Sequence, residues 1–243
     1  MRDIQFIHFP SIPSTNTWGK ENRPSLNTTG ITCVTADEQT KGRGQFNKSW
    51  ISPKGVNLYA SFCFYEANPC SFLPNLAQIL SLSACTVLKS FGFSPSLKWP
   101  NDIFLHGKKI GGILCEASPM KELTWVVLGI GLNINTTQED LQIIDQPATS
   151  LHKETGQFFS LTQIQERLVW HFRQDQEILA KQGFSPFLQD YVSQLSFIDK
   201  PFALKKGKEI VYATYRGISK EGLLLLTLPN KEPFEVHSRE QLI

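Results

Sequence analysis

The sequence predicts an α+β chain: a mixed, mostly antiparallel sheet backed by helices, followed by a small unit built only of strands. Three observations carry this expectation. Strand-like segments outnumber helical ones and run consecutively from residue 97 to 135, which disfavours repeated strand-helix-strand units. Two segments, 74–90 and 161–182, place apolar residues on one helical face. Beyond residue 199, every apolar run is short and bounded by turn-forming residues.

In chain order, residues 3–9 read as a strand, followed by strands at 31–36 and 56–65. Residues 74–90 form a helix whose broad apolar face predicts burial, ended by Gly92. Leu97 with Trp99, then 103–105 and 110–116, are strands, and His106-Gly107-Lys108 between the last two is a tight turn. The long strand at 124–135 either pairs across a two-fold axis in a homodimer or is covered within one chain. Within 161–182, Leu161, Ile164, Leu168, Val169, Phe172, Ile178 and Leu179 line one face. Ser160 with Gln163 resembles a capping box, and Gly183 is the stop. The tail carries strands at 202–204, 210–216, 223–228 and 234–237. Lys206-Gly207-Lys208, Lys220-Glu221-Gly222 and Pro229-Asn230-Lys231 separate them, and a small barrel fits. The expected units are therefore 1–198 and 199–243.

Composition excludes several classes. The 243 residues carry 24 Lys and Arg against 22 Asp and Glu, a net charge of +2, which argues against a dedicated nucleic-acid binder. With 41% hydrophobic residues a chain of this length can bury roughly 70–75% of the surface its unfolded form exposes. Five cysteines, an odd number without a C-x-x-C pair, indicate a reducing cytosol rather than a disulfide framework. No basic segment followed by an apolar run opens the chain, and nowhere do about 18 apolar residues follow one another. A soluble, cytoplasmic protein that does not engage a membrane is expected.

Four segments carry possible chemistry. Residues 41–54 hold Lys41, Arg43, Lys48 and Lys54 and no acid, with Gly42 and Gly44 flanking Arg43. Such a segment is either a solvated loop or an anion cradle made of backbone N–H groups and a guanidinium fork. In Lys98-Trp99-Pro100-Asn101-Asp102, Asn101 and Asp102 either meet a metal ion or phosphate at a strand edge or cap a turn. Lys109, entering an apolar strand beside Gly111 and Gly112, is a fixed charge for an anionic substrate or a hairpin-edge charge. In Gly129-Ile130-Gly131-Leu132-Asn133, alternating glycines leave a flat floor for a flat ligand, and the amide of Asn133 demands a protein or ligand partner. Neither a Walker A order nor a Rossmann fingerprint is present.

Taken in order, these segments resemble the biotin protein ligase family. Its early S-T-N is Ser14, Thr15 and Asn16. Its Q-x-x-G-R-G-R-x-G-R-x-W loop runs here from Gln39 to Trp50. K-W-P-N-D, K-x-G-G-I-L-x-E and G-I-G-x-N-x-N follow at 98–102, 109–116 and 129–135. The resemblance implies a biotin/lipoate ligase catalytic domain, similar to class II aminoacyl-tRNA synthetases, with a C-terminal SH3-like barrel. It implies an enzyme that joins biotin and ATP as biotinoyl-adenylate and passes the biotinoyl group to a lysine of the biotin carboxyl carrier protein of acetyl-CoA carboxylase. By the same resemblance Lys109 and Arg43 are catalytic. Ser14, Thr15, Asn16, Gln39, Arg43, Gly44, Gln45, Lys109 and Gly112 face biotin, while Trp50, Lys98, Asn101, Gly131 and Asn133 face ATP or the adenylate.

Asp102 is the candidate for holding Mg²⁺, or else a brace for its turn. The loop departs from the pattern, since Gln45 stands where Arg is usual, Asn47 where Gly is usual and Lys48 where the last Arg is usual. Loss of a guanidinium predicts looser retention of the adenylate. With 13 residues before Ser14, a helix-turn-helix has no room, so no DNA binding is expected. Lipoate protein ligases share the architecture, and a non-catalytic biotin or adenylate binder is the alternative from another class.

Overall fold

The computed structural model describes residues 2–23, 26, 29–196, 198–206, 209–237 and 242. The chain begins with β1 (Ile4–Phe9), α1 (Thr15–Glu21), β2 (Ile31–Ala36), β3 (Leu58–Ala67) and α2 (Asn75–Ser90). There follow β4 (Ser96–Lys98), β5 (Asp102–Leu105), β6 (Lys108–Pro119) and β7 (Leu123–Leu132). The helical stretch comprises α3 (Gln138–Leu141), α4 (Leu151–Thr155), α5 (Leu161–Gln182) and α6 (Leu188–Gln194). Strands β8 (Phe202–Lys206), β9 (Glu209–Ile218), β10 (Leu224–Thr227) and β11 (Pro233–Val236) complete it.

The first seven strands form one sheet in the order β1-β2-β3-β7-β6-β5-β4, antiparallel except for the parallel β1–β2 pair. Its middle is the β3-β7-β6 triplet, where Gly129 pairs Ser61 on one side and Leu114 on the other. Strand β7 is thus hydrogen-bonded along both edges, and a two-fold pairing through it is closed off. Its burial on both faces also explains why it reads as a near-continuous apolar run.

Alternate side chains along each strand point to opposite faces, which divides the packing in two. One face carries Phe62, Phe64, Leu128, Ile130 and Leu132 against α2 and α5, with the ring of Phe172 of α5 centred 4.6 Å from that of Phe62 and tilted 42° to it. The other face carries Val34, Cys63, Trp125 and Val127 against Trp18 of α1. Thirteen of the sixteen residues of α2 are buried, as its broad apolar face predicts. Helix α5 starts and stops where its sequence says. Ser160 Oγ accepts from Gln163 N at 3.3 Å, and Gly183 at φ 69° donates to the Leu179 carbonyl. His106 (φ 51°) and Gly107 (φ 73°) form the two-residue hairpin turn between β5 and β6.

The C-terminal strands form a four-stranded antiparallel sheet, β11-β10-β9-β8, and Leu242 returns to bridge Leu204 of β8. The expected Lys206-Gly207-Lys208 turn falls partly outside the described residues. Leu204, Leu224, Leu226 and Val236 of this sheet belong to the same buried cluster as the large sheet's helical face. Polar contacts pin the junction: the Gly222 carbonyl accepts from Trp99 Nε1 at 3.0 Å and Gln78 Nε2 at 2.8 Å, and the Glu221 carbonyl from Asn75 Nδ2 at 2.8 Å. A Cβ on Gly222, which sits at φ 82°, would fall 2.4 Å from both Asn75 and Gln78, so glycine is required there.

Candidate active site

A cavity of about 420 Å³ opens on the α1 face of the large sheet, over β7, β6 and β5. Its floor depends on glycines. A Cβ on Gly129 would fall 2.0 Å from Asn16 Oδ1, and one on Gly131 would fall 2.4 Å from Trp50 Nε1. The flat floor expected for a ligand is therefore occupied by the protein's own side chains: the Asn16 amide covers Gly129 and the Trp50 indole covers Gly131. Any ligand sits on that second layer.

The charged centre is a buried ion pair. Lys109 Nζ lies 2.7 Å from Asp102 Oδ1, with side chains only 15% and 5% exposed. Gly112 makes room for it, since a Cβ there would stand 3.3 Å from both Asp102 Oδ1 and Lys109 Cε. Lys109 is also 5.6 Å from the centroid of the Trp50 ring. Its backbone is zipped to a later segment, donating to the Pro147 carbonyl and accepting from Thr149 N, both at 2.9 Å. Asp102 is thus neither a simple turn cap nor an isolated carboxylate. Asn101 donates its side-chain amide to the Ile113 carbonyl, and Asn133 donates to the Thr149 carbonyl at 3.1 Å.

The basic loop folds back on itself: Trp50 N donates to the Gly42 carbonyl at 2.9 Å and Gly44 N to the Lys48 carbonyl at 2.7 Å. A Cβ on Gly42 would fall 2.2 Å from the Trp50 carbonyl oxygen, so this close approach demands glycine. Arg43 lines the cavity yet is half-exposed, and its guanidinium pairs with Glu116 of β6. Neighbouring cations and the Asn16 amide hold the Glu116 carboxyl below its ordinary value, against the opposing effect of burial. Phe46, at φ 56° and 51% exposed, forms the loop tip.

At the polar end Ser14 caps α1, accepting from Thr17 N at 3.4 Å. Thr15 donates through N and Oγ1 to Gln39 Oε1, at 2.9 and 3.1 Å. Gln39 donates in turn to Ser52 Oγ at 3.0 Å. Ser61 Oγ lies 2.8 Å from Thr15 Oγ1 and 2.6 Å from Asn16 Oδ1. The early S-T-N segment is thus a short capped helix whose polar groups are locked together before any ligand arrives. Two lining groups are left over: Trp50 Nε1 and Gln45 Oε1 are buried without a hydrogen-bond partner, one a donor and the other an acceptor.

Of the residues assigned from the sequence to biotin, nucleotide or metal, all line this cavity except Lys98, which lies on the outer edge strand β4, while Lys41, Gly42 and Lys54 of the basic segment and Gly111 of β6 are not among the lining residues. The sequence reading missed Ile143, Ile144, Asp145 and Gln146, which border the cavity because the Lys109–Ala148 bridge brings their segment across. Ile143, 66% exposed in a polar stretch, is the signal that marks them. Glu116 was noted only as the end of its motif.

Among the described residues, no group of three or more His, Cys, Asp or Glu gathers to cage a metal. The lining carboxylates are Asp102 and Asp145. A hard cation that arrives on phosphate oxygens needs only one or two protein carboxylates, and this donor set fits such an ion.

Comparison with known proteins agrees with this geometry. Residues 8–133 match the biotin/lipoate A/B protein ligase family. The chain is 31% identical over 220 residues to the bifunctional ligase/repressor BirA of Salmonella typhimurium, across 89% of this chain and 68% of that relative. It is 27% identical over 226 residues to the biotin--[acetyl-CoA-carboxylase] ligase of Paracoccus denitrificans, across 89% and 91% of the two chains. The solved structure of biotin protein ligase from Aquifex aeolicus in complex with biotin and ATP has a TM-score of 0.82 and 27% identity, covering 98% of this chain and 97% of that one. The sheet order, the motif residues gathered in one cavity and these likenesses lead to a single conclusion: the chain belongs to the biotin/lipoate A/B protein ligase family.

Proposed function

We propose that this protein is a biotin–protein ligase that activates biotin with ATP and transfers it to a lysine of the biotin carboxyl carrier protein of acetyl-CoA carboxylase. The observation that carries the reading is the Lys109–Asp102 pair, buried in a cavity that also receives Arg43 and the glycine-rich loop. In the first step a biotin carboxylate oxygen bonds to the α-phosphorus of ATP, the α–β phosphoanhydride bond breaks, and pyrophosphate leaves with its electron pair. Two anions must meet, and in low dielectric their repulsion is large unless fixed donors already face both. Lys109 and Arg43 supply those charges, and the loop around Gly44 and Gln45 supplies close backbone approach.

Ser14, Thr15, Asn16, Gln39 and Gly112 shape the biotin end. Trp50, Asn101, Gly131 and Asn133 serve the nucleotide end. Asp102 would hold magnesium together with triphosphate oxygens, and the ion when bound neutralises charge on the leaving group. In the second step the carrier's lysine nitrogen bonds to the biotinoyl carbonyl carbon, the bond to AMP breaks, and the amine proton is lost. Residues 1–198 form the catalytic unit and 199–243 an SH3-like barrel. The five free cysteines suit a reducing cytosol. No helix among the described residues is long and apolar enough to cross a membrane.

The deciding experiment is mass spectrometry of a carrier domain incubated with the protein, biotin and ATP. One added biotinoyl group is expected. An unmodified carrier, with no pyrophosphate released, would refute the reading. A stabilisation by lipoate and not biotin in thermal unfolding would move the assignment to the lipoate side of the family.

A further inference from the structure

The turn that delivers Asn101 and Asp102 to the cavity lies beyond the β4–β5 ladder, whose last pair is Lys98 with Asp102. The backbone groups of residues 99–101 must therefore find partners elsewhere. Each residue of the turn is tied to a different part of the molecule. Trp99 Nε1 donates to the Gly222 carbonyl of the small sheet at 3.0 Å. The Pro100 carbonyl accepts from Tyr191 Oη of α6 at 3.1 Å, across 91 positions of sequence. The Asn101 carbonyl accepts from Ile113 N of β6 at 3.0 Å, and Asp102 pairs with Lys109. Of these ties the one from Tyr191 belongs to no motif. Tyr191 sits in the hydrophobic cluster on the α2 face of the large sheet, opposite the cavity, and α6 contributes no lining residue.

We propose that Tyr191 is a positioning residue for the nucleotide half of the reaction: its hydroxyl holds the Pro100 carbonyl and so sets where Asn101 and Asp102 stand in the cavity wall. The phenol is fully buried, its ring edge-on to Phe184 at 5.6 Å, and a buried tyrosine needs a partner for its hydroxyl. The height at which that hydroxyl arrives is fixed by the chain after α6. Ser196 N donates to the Leu97 carbonyl at 2.8 Å, and Leu195 bridges Leu97, so the end of α6 is zipped to β4. Without the phenol the turn would be free to rock about the Lys98–Asp102 pair, carrying the carboxylate with it. Misplacing a reacting or charge-bearing group by about 1 Å can cost on the order of 10²-fold in rate. The polar network at the biotin end is built on α1, Gln39 and Ser61, and none of its hydrogen bonds described above runs to α6. Loss of the hydroxyl should therefore fall on the nucleotide end alone.

The inference rests on the reading that Asn101 and Asp102 serve the nucleotide, and its test separates the two. Tyr191→Phe keeps the ring and removes only the hydroxyl. In this variant kcat for pyrophosphate release should fall about tenfold and KM for ATP should rise, with the Kd for biotin unchanged in calorimetry. In an Asp102→Asn background the same substitution should cost less than about twofold further, because its effect passes through the carboxylate it positions. Hydrogen exchange at the Ile113 amide, which donates to the Asn101 carbonyl, should quicken whether or not a substrate is added. Ile164→Val, a trim of the buried face of α5, is the control: it should lower the melting temperature and leave kcat and KM for ATP as they are. A Tyr191→Phe protein that behaves like this control overturns the proposal. So does a full further loss in the Asp102→Asn background, or a biotin affinity that falls as far as the affinity for ATP. If the wild-type protein releases no pyrophosphate from biotin and ATP, the ligase reading fails. Exchange at Ile113 then still decides whether the phenol fixes the turn, and an unchanged rate overturns it.

Discussion

The Trp50 indole occupies the space above Gly131, its Nε1 2.4 Å from where a Cβ on that glycine would stand. Gly131→Ala should therefore push the indole out of place. Overpacking of this kind typically destabilises by about 1–3 kcal/mol. We expect a lowered melting temperature and a loss of nucleotide affinity larger than the loss of biotin affinity, both measurable by calorimetry. Unchanged nucleotide binding would show that Trp50 is not part of that end of the cavity.

Lys109 and Asp102 form a partly desolvated pair, so removing one member leaves the other uncompensated. Asp102→Asn should lose about 3 kcal/mol of stability in denaturant unfolding. The double variant Asp102→Asn with Lys109→Met should recover part of that loss, the mark of direct coupling. Lys109→Ala should suppress pyrophosphate release on the order of 10²–10³-fold, since it removes a fixed charge aimed at the reacting anions.

Gln45 is the position at which the sequence departs from the arginine expected by resemblance, and its Oε1 is buried without a partner. Gln45→Arg should retain biotinoyl-adenylate longer than wild type through gel filtration in the presence of pyrophosphatase. Equal retention would refute a role for this position in holding the mixed anhydride.

Two carboxyls give opposite pH signatures. Burial raises Asp175 above the ordinary 3.8, although Ser83 donates to it at 2.6 Å and His171 lies nearby. A raised acid favours the fold while protonated, and that contribution is lost as pH rises through its folded value. Asp175→Asn should therefore raise the melting temperature at neutral pH and give no advantage well below 3.8. Glu116 is lowered from the ordinary 4.5, so its contribution is present above that value and is lost as pH falls through the lower folded one. The stabilising difference between wild type and Glu116→Gln should shrink on acidification and not on alkalinisation.

Elements encoded by local rules were readable from sequence. Helix α5 has its cap at Ser160 and its stop at Gly183 written into the chain, and both serve as expected. Helix α1 was not readable. It is seven residues long, has no apolar period, and is held by the Ser14 cap and by Trp18 packing 5.2 Å from Phe9. The cavity's strand residues stood out because glycine, lysine and asparagine sit where an apolar strand has no local use for them, whereas Ser14, Thr15, Asn16, Gln39, Gln45 and Trp50 were legible only through the family resemblance. The remainder depends on distant encounters. Arg43 and Glu116 are 73 residues apart, and Ile143 reaches the site only because a bridge at Ala148 anchors its segment to Lys109. A glycine's purpose was equally hidden, since composition announces an empty space and not which neighbour fills it.

The clasp at Gly222 changes what the last forty-odd residues are for. Trp99 and Gln78 both hang on one carbonyl of the small sheet, and Trp99 is three positions from Asp102. Amputating the tail would leave an indole and two carboxamides unmoored beside the reaction chamber, so that catalysis and tail integrity should decline in step. The small sheet is masonry for the hearth, not an outbuilding.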